Sequence, residues 1–265
     1  MTRWYITSFR RQTGLTLVEL MVALAIGSFL IIGAVQIYNQ SRQAFVVNES
    51  VARVQETAQF AMDTIEADLR MASNWGRNSR SLTVEGRSLD GDPNPLGLPV
   101  PAECGADWAL NLALPVDGRN NNYDLLCPAT GGAQANSDVV TIRRASVDPV
   151  LVDETRLQLQ TTRIQGQLFN GPVVPAAFEP VTIDPITGAP SSTTHNLMVN
   201  SYYVSPTSAL IPGVPTLRRH VLTTRDGAPA IEDQEVAPGI ENIQLQFGID
   251  VDEDNTVDRY VNPGD

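Results

Sequence analysis

The sequence has no lysine: all 18 basic residues are arginine, set against 30 acids for a net charge of −12. A surface of that sign is ill suited to neutralising phosphates, so general nucleic-acid binding does not fit. Cysteine is limited to Cys104 and Cys127, and histidine to His195 and His220. That is too little sulfur for a disulfide-dense scaffold and too few soft ligands for a cysteine-rich zinc site. Calcium, which takes oxygen ligands, stays open. Catalytic signatures are missing as well: there is no G-x-S-x-G, H-E-x-x-H or phosphate loop. The two histidines, one in a Thr-rich loop and one in an Arg-flanked strand, read as surface or structural residues, and no enzyme is expected. Proline is missing from the first 92 residues, and only Gly14, Gly27 and Gly33 precede Gly76.

What is there divides along the same line. With 265 residues, 42% of them hydrophobic, the chain is long enough to bury a core as one sizeable domain or two small ones. Residues 1–14 carry Arg3, Arg10 and Arg11 and no acid, and the stretch from Leu15 to Ser41 holds one charge, Glu19. Leu15 to Ile37 as a helix spans ~34 Å, enough for a hydrocarbon core of about 30 Å. The flanking arginines place its N-terminal end in the cytoplasm. The apolar run is too long for a secretory signal and is followed by no small-x-small cleavage site.

Glu19 is the informative residue. A carboxylate near the start of a membrane helix is costly and either reaches the headgroup level, where water solvates it, or finds a partner. The stretch Gly14-Leu15-Thr16-Leu17-Val18-Glu19-Leu20 resembles the processing site of type IV prepilins. That resemblance implies cleavage between Gly14 and Leu15 by a membrane prepilin peptidase and N-methylation of Leu15. It also implies a register role for Glu19, whose carboxylate would pair with the new ammonium of a neighbouring subunit. A buried charge left unpaired is strongly destabilising, so such a pair checks register. The sequence departs from the family in beginning its mature part with Leu rather than Phe.

Val47, Val51, Val54, Ala58, Met62, Ile65, Leu69 and Ala72 recur every three or four residues, with Arg53, Glu56, Asp63 and Arg70 opposite. One helix is therefore expected from about Leu15 to Ser73, apolar over 15–37 and amphipathic over 38–75, ahead of a β-rich head over 76–265. Strands are expected at 138–147, 155–162, 196–205, 216–223 and 240–249, the third and fourth antiparallel across a long loop. Residues 86–137, rich in Pro, Gly and Asn, read as an extended connection. Glu66 to Gly76 looks like the helix exit of PilW-type minor pilins, with Ser73 where that family usually has Gly, and Gly239 to Asp250 is similar to its C-terminal part. The resemblance implies an α+β, pilin-like fold: a long N-terminal helix packed on an antiparallel sheet with long loops.

Residues 232–265 hold ten acids and one arginine. Asp250, Asp252, Asp254, Thr256 and Asp258 have the alternation of a calcium loop, with Asn255 able to take the positive φ usually given to Gly. The bidentate Glu expected at loop position twelve is Val261, so an EF-hand is rejected. An EF-like loop and a solvated acidic turn are the two readings left. In an exported, oxidising setting, Cys104 and Cys127 are expected to pair. Of the Arg143-Arg144 and Arg218-Arg219 pairs, one member each is expected to neutralise nearby acids.

Together these readings imply a minor pilin. It would sit in the inner membrane with its head in the periplasm and then move to the extracellular pilus near the tip. Its partners would be other minor pilins, the major pilin, a tip-associated adhesin and the prepilin peptidase, in a system serving adhesion and twitching motility. No cofactor is required beyond a possible Ca²⁺. A minor pseudopilin of type II secretion has the same N-terminus, and a signal-anchored envelope enzyme or carbohydrate-binding module is the alternative of another class.

Overall fold

The computed structural model describes residues 14–176 and 191–265. Arg3, Arg10 and Arg11 lie outside the described residues. The chain divides into two compact units, one ending at Val54 and one beginning at Gln55.

Helix α1 runs Leu17–Arg70, with no proline to interrupt it, and it continues through Gly27 and Gly33 despite their low helix propensity. In the first unit its apolar side chains stay exposed, Phe29 at 80% and Leu17 at 75%. In the second unit the helix buries Ala61, Ile65 and Asp68, with Ala72 packed alongside. This corrects the expected stripe. Ile65 and Ala72 belong to the packed face, whereas Met62, Val47, Val51 and Val54 are exposed. The reason is Asp68, an acid inside the buried face that hydrophobic periodicity cannot register.

The helix ends by tightening: Met71 and Ala72 N–H groups bond to the carbonyls of Asp68 and Leu69, three residues back. Ser73 then takes φ +64°, the left-handed position that glycine usually fills past a helix end. Trp75 follows, fully buried.

The head is a mostly antiparallel sheet. Its strands are β1 (Val84–Glu85), β2 (Val116–Arg119), β3 (Val139–Ala145), β4 (Gln158–Thr161), β5 (Gly166–Phe169), β6 (Thr193–Ser205), β7 (Thr216–Arg225) and β8 (Ala228–Pro238). Strand β6 is central, pairing with β3, β4 and β7, and among the described residues only β1 and β5 run parallel. The expected antiparallel pair across residues 206–215 is β6 and β7.

Alternation sends side chains to two covered faces. Val140, Ile142, Tyr202 and Leu217 meet α1 through Ala61 and Ile65. On the other face Ala145, Leu159, Val199 and Leu222 meet Trp75, Trp108, Leu110 and Leu112. Residues 86–137 therefore supply strand β2 and, around Trp108, Leu110 and Leu112, a packed layer over the sheet rather than an extended connection. Arg143, buried, holds that layer down by donating to the carbonyls of Trp108 and Leu114, each at 2.7 Å.

The expected strand at 240–249 is shorter, β9 (Phe247–Ile249), paired with β10 (Arg259–Val261). Ahead of it, residues 240–246 have no regular secondary structure, and Ile243 and Leu245 pack beside the helix-side core. Their N–H groups bond to side chains instead of a ladder, Ile243 to Ser137 Oγ and Leu245 to Asp138 Oδ2.

Candidate functional site

Gly14 and Leu15 precede the helix in non-regular backbone and are exposed, Leu15 at 78%. A Cβ built on Gly14 would meet nothing within 4 Å. Thr16 is the helix N-cap and Glu19 the third helical residue. Glu19 N–H donates to Thr16 Oγ1 at 3.2 Å, and Thr16 N–H and Oγ1–H both donate to Glu19 Oε2 at 2.9 Å. This reciprocal arrangement is a capping box, satisfying two N–H groups at the helix start. Glu19 thus acts at the helix start, a role that the resemblance alone did not supply. From Leu17 onward the helix is long and apolar enough to cross a membrane, and none of its apolar window is buried.

Within the second unit, Asp68 is the anchor of the helix on the sheet. Its Oδ1 accepts from Arg144 Nε at 2.9 Å and Nη2 at 2.7 Å; its Oδ2 accepts from Asn200 Nδ2 and Tyr202 Oη, each at 2.6 Å. Burial and the neighbouring Asp68 carboxylate push the Tyr202 phenol well up, so it stays a donor.

The opposite face carries a second polar cluster. Asp233 accepts from Arg218 Nε at 2.8 Å, Tyr203 Oη at 2.6 Å and Thr130 N–H at 2.9 Å. Burial alone would raise the Asp233 pKa, but hydrogen bonds from Thr130, Tyr203 and Arg218 hold it below the ordinary value. His220 is buried, stacked on Tyr203 at 5.1 Å, and its pKa is lowered chiefly by that burial. Tyr123 Oη donates to the Cys127 carbonyl at 2.6 Å and lies 2.7 Å from His220 Nε2. Because the phenol has one proton, the His220 nitrogen is the donor of that second contact.

Cys104 and Cys127 form the expected disulfide, which pins the covering layer beside this cluster. The arginine expectation also holds: Arg144 pairs with Asp68, and Arg218 with Asp233 and Glu235. His195, expected in a loop, is buried within β6, where its ring nitrogens meet Ser146 O at 2.8 Å and Thr193 Oγ1 at 3.0 Å.

In the acidic turn, Asp250, Asp252 and Asp254 each offer a carboxylate oxygen within 4.8 Å of the others, and Asn255 takes φ +68° as expected. The carboxylates also serve the turn itself: Asp250 accepts from the Asp254 and Asn255 N–H groups. Asp258 accepts the Val251 N–H at 2.6 Å, and the Thr256 N–H and hydroxyl donate to Asp254.

A capped, apolar and uncovered helix start, continuing into an antiparallel sheet, defines a type IV pilin-like protein. Residues 201–265 match the family model of type IV pilus-assembly protein W, and residues 9–35 match the prokaryotic N-terminal methylation motif. The two matches lie at opposite ends of the chain and together support a type IV pilus, pilin-like subunit. No curated protein and no solved structure matches it.

Proposed function

We propose that this chain is a minor pilin, a structural and adaptor subunit that primes type IV pilus assembly and stays near the tip. The observation that carries the reading is the methylation motif over residues 9–35, leading into a helix whose apolar window is wholly uncovered. Such a surface needs lipid before assembly and other pilin helices after it. In this reading prepilin peptidase cuts between Gly14 and Leu15, Leu15 is N-methylated, and Glu19 pairs with a neighbour's ammonium to set register. The head faces the periplasm and then the outside, with other minor pilins, the major pilin and a tip-associated adhesin as partners. A polar cluster built around ion pairs and a disulfide suits a rigid adaptor, with no enzymatic task. The match over residues 201–265 favours a pilus over type II secretion.

We further infer that the turn over residues 250–258 takes calcium weakly, with a Kd of about 10⁻⁴ to 10⁻³ M, through the grouped Asp250, Asp252 and Asp254 with Thr256 and Asp258 beside them.

Intact-mass measurement of the membrane-extracted chain tests the main reading. Loss of residues 1–14 with gain of one methyl group, and recovery of the same species from sheared pili, are expected. A chain retaining Met1 and never found in filaments overturns it.

A further inference from the structure

We infer that Cys104, Cys127 and His220 form a metal site in the reduced chain: as thiolates rather than a disulfide, the two sulfurs and one His220 ring nitrogen hold Zn²⁺. The observation is a convergence between the two layers of the head. Cys104 and Cys127 come from the covering layer and His220 from β7, yet their sulfurs and a His220 ring nitrogen lie within 4.8 Å of one another, and all three residues are buried. Tyr123 Oη stands beside them, 3.8 Å from Cys127 Sγ and 2.7 Å from His220 Nε2. The disulfide uses the two sulfurs only. A third donor atom, brought by a different layer, turns the pair into a ligand set.

That set suits zinc. With Zn–S near 2.3 Å and Zn–N near 2.0 to 2.1 Å in a tetrahedral site, neighbouring ligand atoms stand about 3.5 to 3.8 Å apart. The grouping already falls within reach of that spacing. Two thiolates balance the charge of the ion, so a site closed off from water carries no net charge to desolvate. Binding releases the two thiol protons. Oxidation reverses it in balance: the zinc dithiolate, an oxidant disulfide and two protons give the Cys104–Cys127 bond, two oxidant thiols and the free ion. The two states tie different things. The disulfide closes the covering layer on itself, whereas the ion joins that layer to β7 and holds it on the sheet before oxidation.

The test uses the full-length chain in detergent, either left oxidised or reduced with dithiothreitol and desalted without oxygen. Zn²⁺ is titrated against a chromophoric chelator, native mass counts the ions, and Co²⁺ is substituted for its visible spectrum. Reduced wild type is expected to take one more Zn²⁺ than the oxidised chain, held about a hundredfold more tightly than anything the oxidised chain binds. His220→Gln, reduced, is expected to bind it about tenfold more weakly or worse, and His195→Gln to match wild type. Co²⁺ in the reduced wild type should show the strong visible bands of a tetrahedral site with sulfur-to-metal charge transfer. Equal zinc binding by the reduced and oxidised chains overturns the inference, as does His220→Gln binding like wild type, since the cysteines alone would then suffice. An octahedral cobalt spectrum overturns it whatever the variants do. The minor-pilin reading stands or falls separately, on the mass of the membrane-extracted chain.

Discussion

Tyr202 Oη donates to Asp68 Oδ2 at 2.6 Å, joining the middle of the central strand to the last turns of the helix. Asp68 sits with Arg144, Asn200 and Tyr202 around it, so its charge is spent within the interface. Asp68→Asn should strand the Arg144 guanidinium and cost about 3 kcal/mol, whereas Tyr202→Phe, which removes one donor, should cost about 1 kcal/mol. Urea midpoints of the full chain in detergent, followed by tryptophan fluorescence, measure both.

Acid should loosen the head in two stages. The folded His220 imidazole lies below its ordinary 6.5, so the unfolded chain binds protons first and stability falls as pH drops below that value. Asp233 and Glu235 are held below their ordinary 3.8 and 4.5, and the stability they add is lost only as pH falls further, through their folded values. Melting temperature against pH should show both stages. His220→Gln should flatten the first and leave the second.

Opening the Cys104–Cys127 bond should cost roughly 3 kcal/mol, the chain-entropy value for a loop of this size. Comparing the melting of the oxidised chain with that of a Cys104→Ser, Cys127→Ser double variant gives the number. The tryptophan signal should change with it, because Trp108 belongs to the same buried cluster.

Gly76→Ala should be among the most damaging small substitutions. Gly76 has φ +85°, and a Cβ there would fall 2.6 Å from His195 Cδ2. Strain and clash together should cost about 2 kcal/mol or more, readable as a drop in urea midpoint.

Calcium at millimolar concentration should raise the melting temperature of the full chain, and Asp250→Asn or Asp254→Asn should abolish the rise. An unchanged melting temperature in wild type would remove the metal from the account.

The long helix, strands β3, β4, β6 and β7 and the disulfide were legible because each rests on local pattern: apolar periodicity, β-branched alternation and a two-cysteine count. The covering layer over residues 86–137 was not, because its order comes from Trp108, Leu110 and Leu112 finding the sheet, contacts distant in sequence. Strand β8 was missed because its side chains are mostly half-buried and mixed in polarity. The signal that would have revealed it is Asp226-Gly227, both at positive φ, a two-residue hairpin turn directly after β7. Likewise nothing in the helix pattern marks Asp68, because its partners Arg144, Asn200 and Tyr202 come to it from two strands distant in sequence. The Thr16–Glu19 box, by contrast, stood in plain sight as T-x-x-E ahead of an apolar run.

With two cysteines the chain has a single way to pair them internally. A head built like this needs an oxidant but no shuffling enzyme, since no wrong intramolecular bridge exists to be undone. Its maturation is therefore a one-way clasp: once the covering layer has settled on the sheet, a single oxidation locks it there.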